Sequence, residues 1–434
     1  MKEPLFLPRE EFPTLIARLL DQGYRVIAPT VDQGAIVYAE IQSVDSLPRG
    51  WTDEQQPGRY RLKETGNSRC FDFAVGPHSW KQFLFPPLQR ISTAIKGETG
   101  WTFAVHEPEI HRYAFLGVRA CELAGMRVQD RVFLERGYVD TAYEARRQAS
   151  LVIAVNCAVP SANCFCTSMQ TGPRCEGGYD LALTELDEGF VLEVGSAAGE
   201  DVLADWDLQQ ASAERMAASR EVSLNAARSI QKTLDTQDLR DRLMAQLEHP
   251  HWQEVGERCL SCTNCTMVCP TCFCSHVTEV SDLDQQNVER ERRWDSCFHL
   301  DFSMLHGRPV RARYPQSVSA MVDTNWQPGM ISLAVGLRQL QAYLHHLVPG
   351  WYRPDRGSEG VVPGSAMNVS SNNTPPVSPW TTRPLVLQSR RPETPGVETF
   401  EFAEATSVSR PVPWGCRVSS TCCMFRGYGR RPFH

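Results

Sequence analysis

At 434 residues, with 42% hydrophobic and 22% charged side chains, the chain has ordinary globular composition and room for two or three domains with real cores. A formal net charge of -7 leaves no basic footprint for nucleic acid, and no apolar run of about 18 residues is present to span a membrane. The opening MKEPLFLPREEF has acids and prolines where a signal peptide needs a basic end and an apolar core, so a cytoplasmic location is expected. In that compartment the 16 cysteines are expected as metal ligands or thiols, not disulfides.

Residues 11–22 place Leu15, Ile16, Leu19 and Leu20 on one helical face, and Gly23 ends that helix. YRVIAPT and AIVYAEI read as strands around the turn Asp32-Gln33-Gly34. Residues 47–100 are rich in Pro, Gly and aromatic residues and are expected to be mostly loop, with Cys70 a buried or idle thiol. From Tyr113 a short apolar strand is expected to end at Gly117, with Cys121 in the turn and a helix beyond it. LVIAVN (151–156) is a second apolar strand ended by Cys157, followed by Cys164 and Cys166 in NCFC, and two further strands fall around 180–195.

Strands alternating with helices suggest an α/β or α+β arrangement, and such folds build sites just beyond strand ends. Cys121, Cys157, Cys164 and Cys166 therefore form one candidate metal set, a further iron–sulfur cluster on one reading and buried small hydrophobes on the other. Cys175 has no assigned role. Residues 201–248 carry helical spacing at Val222, Ala226, Ile230, Leu234, Leu239, Leu243 and Leu247, a packed connector with nothing that asks for chemistry.

The strongest signal follows. CLSCTNCTMVCP places Cys259, Cys262, Cys265 and Cys269 at C-x2-C-x2-C-x3-C before Pro270, the ligand run of a two-cluster [4Fe–4S] module. Structural zinc would want two C-x2-C knuckles separated by a longer loop. Cys272 and Cys274 in TCFC, and Cys297 in RRWDSCFHLDFS, are candidates to complete a cluster or to line its pocket. His276, His299 and His306 are read as surface or capping residues. No P-loop, dinucleotide fingerprint or nucleophile signature occurs in the first 314 residues, so no catalytic residue is assigned.

CLSCTNCTMVCPTCFC with RRWDSCFHLDFS resembles the β subunit of soluble NAD(P)-linked nickel–iron hydrogenases (sulfhydrogenases), a family close to the electron-transfer subunit of anaerobic sulfite reductase. GVRACELAGMRVQDRVF and VNCAVPSANCFC resemble further segments of it, and the likeness covers about residues 1–314. The resemblance implies an electron-transfer subunit carrying one to three [4Fe-4S] clusters. Its implied partners are a flavin- and NAD(P)-binding γ subunit, with the small and large nickel–iron subunits, or a sirohaem subunit in the sulfite-reductase case. Neither nucleic acid nor membrane is among them.

The chain departs from that family after residue 314. No cysteine lies between Cys297 and Cys416, so a second C-x2-C-x2-C-x3-C-P run is missing. Codons for residues 335–355 can be chosen so that a one-nucleotide shift restores a near copy of it. From Met367 the tail resembles the opening of a γ flavin-reductase subunit. The expectation is a reading frame disturbed after about codon 314, with Cys416, Cys422 and Cys423 accidental. The residue-level alternative is a decayed remnant that holds no cluster.

The expected architecture is α+β. An N-terminal α/β domain (1–200) leads through a helical connector (201–250) to a helical, ferredoxin-like cluster domain (251–320), and residues 321–434 form an irregular tail.

Overall fold

The computed structural model describes residues 3–302 apart from 57, 58, 75, 77, 136, 247, 248, 260, 261, 300, 301, and beyond them only five strands between 304 and 425. The described residues divide into two compact units, one reaching Phe302 and one holding those later strands.

In the first unit, strand β1 (Leu5–Pro8) leads into helix α1 (Phe12–Asp21), which buries Phe12, Leu15, Ile16 and Leu19 along one face. Gly23, at φ 79°, turns the chain out of that helix in a conformation few side chains adopt. β2 (Arg25–Asp32) and β3 (Ala35–Ile41) form the expected hairpin.

The stretch expected to be mostly loop is partly strand. It holds the hairpin of β4 (Trp51–Gln56) and β5 (Arg59–Glu64), helix α2 (Lys81–Leu84) and β6 (Leu88–Gly97), with β7 (Gly100–Val105) following. Pro and Gly here punctuate short strands whose alternation is visible in RYRLKE and LQRISTAIKG.

β8 (Tyr113–Val118), α3 (Ala120–Leu134), α4 (Thr141–Gln148), β9 (Leu151–Val155), β10 (Leu181–Glu185) and β11 (Gly189–Val194) complete the main sheet. Its order is β1-β11-β10-β9-β8-β2-β3, with β2, β8, β9 and β10 mutually parallel and the outer pairs antiparallel. Both faces are covered, which is why the parallel strands read as unbroken apolar runs. Ala114, Leu116, Ile153 and Val155 pack with α1 on one face. Phe115, Val152 and Ala154 pack with Leu123 and Met126 of α3 and Tyr143 of α4 on the other.

α5 (Ala197–Leu203), α6 (Ala213–Ser229) and α7 (Leu239–Met244) form the connector. The helix of α6 stops before Ile230, short of the spacing read in the sequence. The backbone N–H of Leu234 instead donates to Ser168 Oγ at 3.0 Å, and Lys232 Nζ to Asn163 Oδ1 at 2.6 Å. Leu247 lies outside the described residues.

α8 (His251–Arg258) and α9 (Asn264–Val268) carry the cysteine run, but the residues after it are extended: β12 (Ser275–Ser281) and β13 (Asn287–Trp294). These two strands join β6 and β7 in an antiparallel sheet of order β12-β13-β6-β7. The strands that follow the run are thus tied to chain some 200 residues earlier. The density of charge in NVERERRW hides the strand. Glu291 is buried in it and is bridged by Arg293 at 2.7 Å.

In the second unit β14 (Met304–Leu305) pairs with β15 (Arg308–Pro309), and β16 (Leu385–Thr394), β17 (Val397–Glu404) and β18 (Thr421–Phe425) form an antiparallel sheet. The tail expected to be irregular therefore contains strands, two of them inside the segment that resembles a flavin-reductase opening. Residues 335–355, Cys416 and His306 lie outside the described residues.

Candidate iron–sulfur sites

Two groups of thiols are buried in the first unit. None of the cysteines from Cys70 to Cys297 is joined in a disulfide.

The principal run is held by local backbone geometry. Cys259 caps the end of α8, and Thr263, at φ 62°, turns the chain into α9. Cys265 and Cys269 stand four residues apart on that helical turn, so they share a face, and Cys269 N donates to Cys265 O at 3.1 Å. Cys265, Cys269, Cys272 and Cys297 are buried, Cys259 and Cys274 are half-buried, and Cys262 is exposed. Cys269 Sγ lies 3.1 Å from Thr271 Oγ1. A hydrogen bond from the Cys272 thiol, with help from Thr271 and the charge of Lys81, pulls Cys269 down to about 6, while the same bond and burial hold Cys272 well above its ordinary value. The thiolate, which a lowered pKa favours, is the form in which sulfur binds iron.

Lys81, from α2, is the residue the sequence did not flag. Its side chain is buried, Nζ donates to Thr266 O at 2.9 Å, and the ammonium sits 3.9 Å from the centre of the Trp294 ring. Burial lowers its pKa, and the sulfurs of Cys272, Cys269 and Cys274 act in the opposite sense. His276 and His299 lean instead towards Asp295, at 3.3 and 3.6 Å, as expected of surface residues.

The second group lies at the C-terminal ends of β8 and β9, the side where parallel sheets place ligands. Gly117, at φ 98°, makes a bulge there. A side chain on it would press on Phe71 and Pro29 at 3.1 and 3.2 Å. The bulge sets Arg119 as the N-cap of α3 and puts Cys121 in the helix's first turn, not in the turn before it as the sequence suggested. Arg119 is fully buried and donates to Phe71 O (2.7 Å), Phe73 O (3.1 Å) and Cys157 Sγ (4.0 Å). Burial works against its charge, but Cys157, Tyr38 and Glu122 outweigh that and raise its pKa.

Cys121 packs against Cys166 and Ile230. Gly172 closes over them, with Cys166 Sγ 3.4 Å from where its side chain would start. Cys164 Sγ accepts from Ser161 N at 3.2 Å, and Lys232, whose pKa burial lowers to about 8, lies within electrostatic reach of Cys164. So Cys121, Cys157, Cys164 and Cys166 share one buried neighbourhood, and the connector expected to carry no chemistry contributes Ile230 and Lys232 to it. Cys175 joins them. Its N–H donates to Asn156 Oδ1 at 2.7 Å, and burial, then Cys157, push its thiol up.

Among the described residues no three Cys, His, Asp or Glu side chains converge on a point that could hold a single metal ion. Thiolates that each bind a different iron of a cluster do not need such a point. The donor sets are sulfur-rich, mostly buried and faced by cations, and Arg119 Nε is buried with no hydrogen-bond acceptor. That chemistry suits an anionic iron–sulfur group.

Sequence comparison agrees. Residues 258–326 match the 4Fe-4S dicluster domain, which supports [4Fe-4S] clusters as the group these thiols would hold. Across most of its length it is similar to a hydrogenase component: Sulfhydrogenase 2 subunit beta of Pyrococcus furiosus is 28% identical over 313 residues, 70% of this chain and 84% of that protein. No solved structure matches. Among the described residues no helix is long and apolar enough to cross a membrane.

Proposed function

We propose that the chain is the electron-relay subunit of a multi-subunit oxidoreductase. It carries electrons between a flavin subunit that handles NAD(P)H and a nickel–iron hydrogenase catalytic subunit, and has no substrate chemistry of its own. The observation that carries this reading is the burial of Cys265, Cys269 and Cys272 in the dicluster-matched run, where Lys81 donates to Thr266 O and acts electrostatically on Cys269 and Cys272. Similarity to a sulfhydrogenase subunit of P. furiosus supports the hydrogenase setting over sulfite reduction.

When bound, a [4Fe–4S] cluster supplies one-electron redox chemistry. Cys259, Cys262, Cys265 and Cys269 would hold it in the principal run, with Cys272, Cys274 and Cys297 supplying or lining the remaining positions. Cys121, Cys157, Cys164 and Cys166 would hold a further cluster, with Arg119 as its buried counter-charge. The protein's own contribution is burial, thiolate ligation and fixed cations around the sulfurs.

A second reading, a remnant that binds no cluster, draws on the absence of any cysteine between Cys297 and Cys416. Iron and acid-labile sulfide per chain, measured on anaerobically purified protein with EPR of the reduced sample, separate the two. About eight irons or more with coupled signals support the relay. An iron-free chain overturns it. Co-purification with flavin and nickel–iron subunits then tests the assignment of partners.

A further inference from the structure

Lys81 presents a charge problem. Its side chain is 4% exposed, and its described contacts are the carbonyl of Thr266 at 2.9 Å and the face of Trp294 at 3.9 Å. No carboxylate among the described residues pairs with it. A buried ammonium without an anionic partner is costly. The groups that act on its charge are the sulfurs of Cys272, Cys269 and Cys274.

Its position is also fixed from both ends. Thr266 lies within the C-x2-C-x2-C-x3-C run, so the ammonium touches the backbone of α9 between Cys265 and Cys269. The Trp294 ring is pinned by its own Nε1, which donates to Phe85 O at 3.0 Å, and Phe85 directly follows α2. A cation over an indole face gains further attraction. The lysine and its platform therefore form one rigid bracket between α2, α9 and the end of β13.

We propose that Lys81 sets the reduction potential of one cluster of the dicluster domain, its buried charge favouring the reduced state. The inference rests on the reading that the run holds a cluster. Taking up one electron adds one negative charge among these sulfurs and changes no covalent bond. A fixed cation in a low-dielectric surrounding stabilises that added charge far more than a surface lysine could. The cost of burying the ammonium is thereby offset when the site is loaded, which explains why a lysine stands where packing alone would favour an apolar residue.

The test uses the full-length, anaerobically reconstituted protein, with iron counted first and midpoint potentials then read by EPR-monitored titration with dithionite. K81Q keeps a donor for Thr266 O but removes the charge, and K81R keeps the charge. One midpoint is expected to move to a more negative potential in K81Q and to stay near the wild-type value in K81R. Loss of iron from K81Q with retention by K81R also supports a requirement for the charge. Wild-type midpoints in an iron-replete K81Q, or loss of iron from both variants, overturn the proposal. A wild-type protein that binds no iron fails at the earlier reading instead, so the two failures are told apart.

Discussion

The guanidinium of Arg119 stands 4.0 Å from the sulfur of Cys157 while its other amino group holds the carbonyls of Phe71 and Phe73 at 2.7 and 3.1 Å. One side chain thus fixes the loop that follows Cys70 and supplies the positive charge of the N-terminal thiol group. Arg119→Met would leave two buried carbonyls without donors, each worth about 1–3 kcal/mol. A clear fall in the thermal unfolding midpoint is expected. Arg119→Lys, with the charge but without the planar fork, should recover only part of it. Circular dichroism melts of the three proteins check this, and a melt of the methionine variant that overlays wild type would remove Arg119 from its structural role.

Cys70 provides a contrast. It is buried, and desolvation, then the nearby Glu185 carboxylate, push its thiol up to about 11 from an ordinary 9.0. At pH 8 roughly one molecule in a thousand then carries the thiolate, against about one in ten for an ordinary thiol, because each pKa unit is a factor of ten. Raising the pH increases the reactive fraction but leaves it at about one in ten or less up to pH 10. Iodoacetamide at pH 8 should leave Cys70 unmodified in the folded protein and label it after denaturation, as read by peptide mass spectrometry. Rapid labelling of the native chain would contradict the burial described.

Much of the candidate chemistry was legible because cysteine spacing is local. Cys259, Cys262, Cys265 and Cys269 lie within a few residues of one another, and apolar runs ending at Cys121 and Cys157 announce strand ends. Lys81 was not legible. In SWKQF it looks like any surface lysine, and only Thr266, 185 residues away, makes it part of the site. Lys232 was masked in the same way by apparent helical spacing that the hydrogen bond to Asn163 breaks. β12 and β13 were missed because β6, the strand on which β13 pairs, lies far earlier in the chain, and their alternation is written in charged residues instead of apolar ones.

The expectation of a disturbed reading frame makes a prediction at the level of the gene. If insertions or deletions follow about codon 314, the nucleotides encoding residues 335–355 contain, in a shifted frame, the cysteines of a second ligand run. Sequencing the gene from independent template decides it. Codons that yield those cysteines in no frame would end the idea, and the tail would then need an account of its own, starting from the strands β16, β17 and β18.

The two thiol groups can be separated by iron counting. Cys265 is buried on the first turn of α9, and replacing it would remove a candidate ligand that no neighbouring oxygen can match in softness. Cys265→Ser should therefore lower iron by about four per chain, the content of one cubane. Cys157→Ser makes the sharper test, because the N-terminal group has no compact ligand motif. If Cys121, Cys157, Cys164 and Cys166 hold a cluster, this variant also loses about four irons while the signals of the principal run persist. If they are packed thiols, iron is unchanged and the variant differs only by a small change in stability, since a hydroxyl replaces a sulfur beside Arg119. Cys70→Ser is the control that should lose no iron under either outcome. Equal iron in wild type and Cys157→Ser would restrict ligation to the principal run, leaving Arg119 to its carbonyls and to the buried Cys157 thiol.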